Sequence, residues 1–159
     1  MPGPPAPDPR RRAVLRPAGP GDADLLRELH RTGAGAALAG LPDDLLRAQH
    51  ETRERAYAAA FPDAEDRIVL VDEAPVGRLL TADDAGAVRV VDVALLPAAR
   101  GGGIGTELLR NLLRHAAAAG RAVVLQADRG GRAEALYRRL GFEDAGPGDA
   151  VRVALVRRP

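Results

Sequence analysis

The chain has 159 residues, 46% apolar and 28% charged, with a formal net charge of +1. That is enough for one globular domain with its own core, and the near-neutral balance offers no basic surface for nucleic acid or anionic lipid. The absence of cysteine excludes disulfides, thiolate zinc sites and cysteine nucleophiles; all 23 basic residues are arginine, which excludes a Walker-A loop and a Schiff-base lysine.

Residues 1–11 open with the proline-rich run Met1 to Pro9, which has nothing to bury and is expected to be a disordered lead-in. No apolar run follows Arg10 to Arg12, so no secretory signal is expected, and no stretch approaches the roughly 20 apolar residues that span a bilayer. A cysteine-free chain of this kind fits the cytoplasm.

Residues 12–159 read as a single α+β domain. Ala13 to Leu15 is a short strand. Asp22 is placed to N-cap a helix running to about Arg31, with Leu25, Leu26 and Leu29 on one face, and Gly33 and Gly35 end it. Pro42 and the pair Asp43-Asp44 suit the start of a second helix that runs to about Ala60. Leu45, Leu46, Ala56, Tyr57 and Ala60 form its apolar face, interrupted by Gln49, His50 and Arg53. An interrupted face can line a cleft; the plainer reading is a surface helix whose long side chains snorkel.

From Arg67 the period changes. Ile68 to Val71, Val76 to Thr81 and Val88 to Leu96 read as three strands joined by the short turns Asp72 to Pro75 and Ala82 to Gly86, an antiparallel meander. The third strand is apolar apart from Arg89 and Asp92, so it should be central. Arg100 and a burst of glycines follow. A helix from Ile104 to Ala119 then buries Leu108, Leu109, Leu112, Leu113, Ala116 and Ala117, and Gly120 stops it. Ala122 to Ala127 is the next strand, parallel to its neighbour because a helical crossover reaches it. A helix from Arg132 to Leu140 puts Ala133, Leu136, Tyr137 and Leu140 on one face, with Gly141 at C′. Phe142 begins a short strand, and Val151 to Val156 is the last.

The strand, the turn Arg100 to Gly105 and the helix after it form an anion-binding candidate. Glycines let the backbone approach a ligand, and a helix start presents unpaired N–H groups and a positive dipole end. A Rossmann reading fails on register. G-x-G-x-x-G counted from Gly101 ends on Thr106, and counted from Gly103 on Leu108. The following strand ends in Gln126-Ala127, without the acidic ribose ligand.

Arg100-Gly101-Gly102-Gly103-Ile104-Gly105 resembles the Q/R-x-x-G-x-G/A signature of the GNAT superfamily of acyl-CoA-dependent N-acyltransferases, and Asp92 to Pro97 resembles the strand before it. Ala133-x-x-Leu136-Tyr137-x-x-Leu140-Gly141-Phe142 is similar to a second family segment, and Leu15-Arg16-Pro17 with Asp22 to the usual opening. The resemblance implies the GNAT fold: a mixed, mostly antiparallel sheet of six to seven strands flanked by four helices. It implies N-acetyl transfer from acetyl-CoA, as co-substrate and without a metal, to a primary amine of a small molecule or peptide by direct attack in a ternary complex. A binding module that senses acyl-CoA with little catalysis is the alternative. Many members pair as dimers, so a homodimer stays open.

The resemblance also distributes roles. Backbone N–H groups of Arg100, Gly101, Gly102, Gly103, Ile104, Gly105 and Thr106 would hold the pyrophosphate. Arg100 either adds charge or braces the loop. Val93, Ala94 and Leu95 would pair with the pantetheine arm as an added strand does. Tyr137 matches the family's tyrosine and would protonate the departing thiolate; spacing alone reads it as a core aromatic. Asp92, on the face opposite Val93 and Leu95, is either the base for the amine or a structural carboxylate. Glu54, His50 and Tyr57 are weaker base candidates, beside a water chain to bulk. His30 and His115 read as surface residues. Where the family often has Asn seven residues before the tyrosine this chain has Gly130, so that contact is not carried over.

Overall fold

The computed structural model describes residues 12–33 and 40–159. The expected lead-in, residues 1–11, and Gly35 lie outside the described residues. Seven strands and four helices follow in the order β1 (Val14–Pro17), α1 (Ala23–Gly33), α2 (Asp43–Ala60), β2 (Glu65–Val71), β3 (Ala74–Asp84), β4 (Ala87–Leu95), α3 (Ile104–Ala118), β5 (Val123–Asp128), α4 (Arg132–Arg139), β6 (Glu143–Asp144) and β7 (Arg152–Arg157). The strands form one mixed sheet in the order β1-β2-β3-β4-β5-β7-β6. β1 and β2 are antiparallel, β4 and β5 parallel, and β7 antiparallel to both β5 and β6. This is the expected α+β class, and each predicted strand and helix has a counterpart within a few residues.

The chain divides into two compact units, residues 1–80 with 92–105 and residues 81–91 with 106–159.

In the first unit, Ile68, Val69 and Val71 of β2, Leu79 and Leu80 of β3, Leu29 of α1 and Ile104 are buried. The β2–β3 connection is tighter than the expected Asp72 to Pro75. Only Asp72 (φ 52°) and Glu73 (φ 64°) lie between the strands. Positive φ at both central positions is what a type I′ hairpin turn demands.

Asp22 does not cap α1 in the expected way. A 3₁₀ turn, Pro20–Asp22, precedes the helix and Gly19 is its N-cap. The Asp22 carboxylate turns back to accept from the Gly19 N–H (2.8 Å) and from Arg16 Nη1 (2.8 Å) and Nη2 (2.7 Å). The helical start therefore lies earlier, with Pro20 at N1 and Asp22 as the acidic N3 residue reaching back. Together the contacts hold its pKa down at about 2, the Arg16 hydrogen bonds being the larger cause.

In the second unit, β5 alternates buried Val123, Leu125 and Ala127 with more exposed neighbours, and β7 buries Val153 and Leu155. Their register sets Leu125 opposite Leu155 and Ala127 opposite Val153, so one period-2 stripe meets another. Leu108, Leu109 and Ala116 of α3 are buried, whereas Ala117 is exposed, as is Ala133 of α4.

Both of these helices end in a Schellman motif. After α3 the Arg121 N–H donates to Ala116 O (2.8 Å) and Gly120 N–H to Ala117 O (2.9 Å). After α4 the Phe142 N–H donates to Tyr137 O (3.1 Å) and Gly141 N–H to Arg138 O (3.0 Å). Gly120 (φ 67°) and Gly141 (φ 86°) supply the left-handed C′ residue that the motif needs.

Candidate active site

The end of β4 is fastened on several sides. Leu96 N–H donates to Val76 O (2.8 Å), and a 3₁₀ turn, Pro97–Ala99, closes with Arg100 N–H on Pro97 O (3.1 Å). Arg100 Nε then reaches back to Leu95 O (2.8 Å), and its Nη2 donates to Thr32 O (3.2 Å) at the end of α1. In this geometry the arginine braces the loop. Gly101 (φ 79°) and Gly103 (φ 83°) take a conformation that side chains disfavour. A Cβ built on Gly101 or Gly102 meets nothing within 4 Å, and one on Gly105 makes only ordinary contact with Leu95 Cδ1 (3.5 Å). The three consecutive glycines are exposed, and α3 starts at the next residue. The backbone ahead of a fifteen-residue helix is therefore bare and open, and its first N–H groups have no intrahelical acceptor. The residues present fit a pyrophosphate in such a cradle.

Asp92 lies in a charge cluster assembled by α2. The helix turns Leu46, His50, Arg53, Glu54 and Tyr57 inward while Leu45, Ala56 and Ala60 face out. This corrects the snorkelling-surface reading for His50 and Arg53, which belong to the packed face, whereas Gln49 is exposed. Arg78 of β3, 3% exposed, binds both Glu54 oxygens (2.7 and 2.8 Å) and both Asp66 oxygens (2.9 and 2.8 Å). Arg53 Nη2 lies 3.2 Å from Asp92 Oδ2, and Arg78 Nη1 lies 3.6 Å from the same oxygen. Burial raises the Asp92 pKa; Arg53 and Arg78 oppose that. Arg53 also stands over the Tyr57 ring, 5.4 Å from its centroid. Burial, and then the Asp92 charge, raise the Tyr57 pKa and keep it a phenol.

His30 is a second correction. It is buried rather than on the surface, and its ring faces that of His50 with centroids 5.5 Å apart. Two helices place it: α1 carries His30 on the face that packs against α2. His115 is exposed as expected, with Nδ1 2.7 Å from Asn111 O.

Among the expected site residues, Asp92, Val93, Ala94, Leu95 and Arg100 to Gly105 belong to the first unit; Thr106 and Tyr137 belong to the second. Val93, Ala94 and Leu95 are half-buried on β4, and Thr106 is half-buried in the first turn of α3. Tyr137 is 6% exposed, its ring edge-on to Phe142 at 5.5 Å. The Schellman motif accounts for that pair, because it brings C3 and C″ side chains together. Gly130 (φ 74°) donates its N–H to Glu134 Oε2 (2.6 Å), which ties the start of α4.

Sequence reasoning missed Arg78 and Gly77. Their signal is local: a glycine and a charged residue stand side by side within the apolar run Val76 to Leu80. No group of three or more His, Cys, Asp or Glu able to hold a metal ion occurs among the described residues.

Comparisons with known proteins bear on the family and the fold. A family model described as an acetyltransferase (GNAT) domain matches residues 64–144, just over half of the chain. The chain belongs to the GNAT acetyltransferase family. This GNAT protein is thus an acyltransferase by family. Its fold is similar to that of the PaiA N-acetyltransferase from Thermoplasma acidophilum in complex with coenzyme A, at 16% identity and TM-score 0.70, covering 93% of this chain and 99% of that one. An acetyltransferase from Thermus thermophilus matches at 22% identity and TM-score 0.69, covering 92% and 97%. A Salmonella typhimurium acetyltransferase that modifies the N-terminal serine of ribosomal protein L7/L12 matches at 20% and 0.65, covering 92% and 95%. No curated protein matches the sequence. No helix among the described residues is long and apolar enough to cross a membrane.

Proposed function

We propose that this GNAT protein transfers the acetyl group of acetyl-CoA to a primary amine of a small molecule or peptide, by direct attack within a ternary complex. The observation that carries the reading is the bare glycine turn between β4 and α3. Gly101 and Gly102 leave open space, and the helix start behind them offers N–H groups and a positive dipole end to a pyrophosphate. The coenzyme A held by the Thermoplasma protein of the same fold supports it.

In this reading N–H groups from Arg100 to Thr106 clamp the pyrophosphate, and Val93, Ala94 and Leu95 pair with the pantetheine arm. The registered β4–β5 pairs run from Val88↔Val123 to Val90↔Leu125, while β4 continues to Leu95. That leaves the Val93–Leu95 stretch beyond the registered pairs. The amine nitrogen attacks the thioester carbon, a C–N bond forms and the C–S bond breaks. Asp92, its pKa raised by burial, takes the proton lost by the amine. Tyr137 gives its phenolic proton to the coenzyme A thiolate; between turnovers water takes the proton from Asp92 and returns one to the tyrosinate, so the cycle closes.

Tyr137→Phe tests the chemistry. Thiol release should fall by about 10²-fold to 10⁴-fold, the usual contribution of a positioned acid, while acetyl-CoA affinity stays intact. Full turnover in the variant would remove Tyr137 from the mechanism. A parent protein that binds acetyl-CoA yet releases no thiol across a broad amine panel would instead be a sensor.

A further inference from the structure

A cleft of about 250 Å³ runs between α1 and α2, and the acyl-transfer reading makes no use of it. Its walls carry three carboxylates and three arginines, with Leu46 and His50 between them. The volume exceeds the roughly 150 Å³ of an engineered cavity that takes up benzene, so a small organic molecule fits.

The carboxylates of the α1 wall are already engaged. Asp24 pairs with Arg27, and Glu28 accepts from Arg31 through Nε (2.8 Å) and Nη2 (2.5 Å). Asp43 adds its charge to the surroundings of Arg31. The arginines are less fully used. Arg47 has no hydrogen bond or ion pair among the described residues, and Arg27 reaches Asp24 through Nη2 alone. Two guanidiniums therefore line the cleft with N–H groups to spare.

An exposed guanidinium by itself is satisfied by water. His50 is the observation that points to a ligand. The residue is 8% exposed and makes no hydrogen bond to a described residue, yet it lines the cleft. Its Nδ1 is buried without a partner, whereas Nε2 is not among such atoms. Nε2 is thus the nitrogen turned to the cleft. Burial lowers the pKa of the ring, which is neutral near pH 7 and carries one N–H. A buried N–H left unpaired is rarer than an under-satisfied acceptor. The proton accordingly sits on Nε2 and points into the cleft, and Arg27 of the opposite wall is among the charges that His50 feels.

The open groups of the cleft are therefore donors. They suit an acceptor of hydrogen bonds, and an ammonium ion would meet cations instead. A carboxylate offers two oxygens to a guanidinium fork. Its single negative charge balances Arg47, whereas a dianion would bring a second charge toward Asp24, Glu28 and Asp43. We propose that the α1–α2 cleft is a binding site for a small monocarboxylate, held by Arg47, Arg27 and the His50 Nε2–H, with its apolar body against Leu46.

Benzoate is the probe. The chain has three histidines, His30, His50 and His115, so the ring Cε1–H signals of ¹³C-labelled protein can be followed one by one; the His50 signal is the one missing from His50→Gln. At constant ionic strength benzoate should move the His50 signal to saturation, with a Kd of about 1 mM or tighter, a scale within reach of so small a ligand. The exposed His115 should stay in place. Arg47→Gln changes an exposed residue and should weaken benzoate at least about tenfold, the loss of one charge-assisted hydrogen bond. A drift of all three signals without saturation overturns the site, as does parental affinity in Arg47→Gln. Inorganic phosphate binding as tightly as benzoate overturns the monocarboxylate assignment. No turnover enters these measurements, so the site and the acyl-transfer reading stand or fall separately.

Discussion

A Cβ placed on Gly77 would stand 2.5 Å from the Ala94 carbonyl oxygen and 2.6 Å from Leu95 Cδ2. Gly77 is therefore the residue that lets β3 lie against the final stretch of β4, the stretch assigned to the pantetheine arm. The first obstacle is backbone and cannot rotate away. Gly77→Ala should cost about 1–3 kcal/mol, the usual range for overpacking, and should displace Ala94 and Leu95. Urea denaturation gives the stability. Acetyl-CoA affinity, measured by calorimetry, should weaken in the same variant. Parental values for both would show that the two strands have slack.

Gly102 offers the complementary case. Its Cβ position is open and its φ is ordinary, so Gly102→Val should leave the melting temperature within about a degree or two, as surface changes of under 0.5 kcal/mol do. The valine would nevertheless stand over the N–H groups assigned to the pyrophosphate. Acetyl-CoA affinity should drop at least about tenfold, 1.4 kcal/mol by the affinity relation. Binding at parental strength would remove this loop from the cofactor site. Gly103→Val is a less clean test, since a φ of 83° already strains any side chain there.

The two cases mark what can be read from residue order. Elements announced by local chemistry are legible: Gly120 and Gly141 stand at the C′ positions of their helices, and the turn at Gly101 to Gly103 lies between β4 and α3 as expected. The inward face of α2 is harder. On α2 the inward residues are His50, Arg53, Glu54 and Tyr57, and a hydrophobic stripe cannot reveal a face made of charges. Their partners are far away in sequence: Arg53 with Asp92, and Glu54 with Arg78. His30 is hidden for the same reason. Its neighbour is another helix's imidazole, and nothing within α1 signals it.

Arg78 carries the largest electrostatic stake in that face. Its guanidinium is the common partner of Glu54 and Asp66, and their hydrogen bonds raise its own pKa against the effect of burial. Removing the cation would leave two half-buried carboxylates facing each other. Arg78→Gln should destabilise the protein by about 3 kcal/mol, the lower range for a broken buried pair. Arg78→Gln combined with Glu54→Gln should recover part of the loss. Chemical denaturation of the single and double variants forms the cycle that checks it, and simple additivity would mean that the two groups do not interact.

The His30–His50 pair makes stability depend on pH. Both rings have their folded pKa lowered by burial, from an ordinary value of about 6.5. The unfolded chain therefore takes up protons first as the pH falls. The contribution of the neutral pair is fully present above about pH 6.5, declines below it, and is gone once the pH has passed below the folded pKa values. Unfolding free energy from urea titrations should be flat between pH 7 and 8 with respect to these residues and should fall toward pH 5. A His30→Gln/His50→Gln variant should lose that dependence over the same interval, because glutamine takes no proton. Carboxylates such as Asp22, with a folded pKa of about 2 against its usual 3.8, act only at lower pH and stay common to both proteins. An unchanged slope between pH 7 and 5 in the double variant would show that neither imidazole is held neutral by the fold.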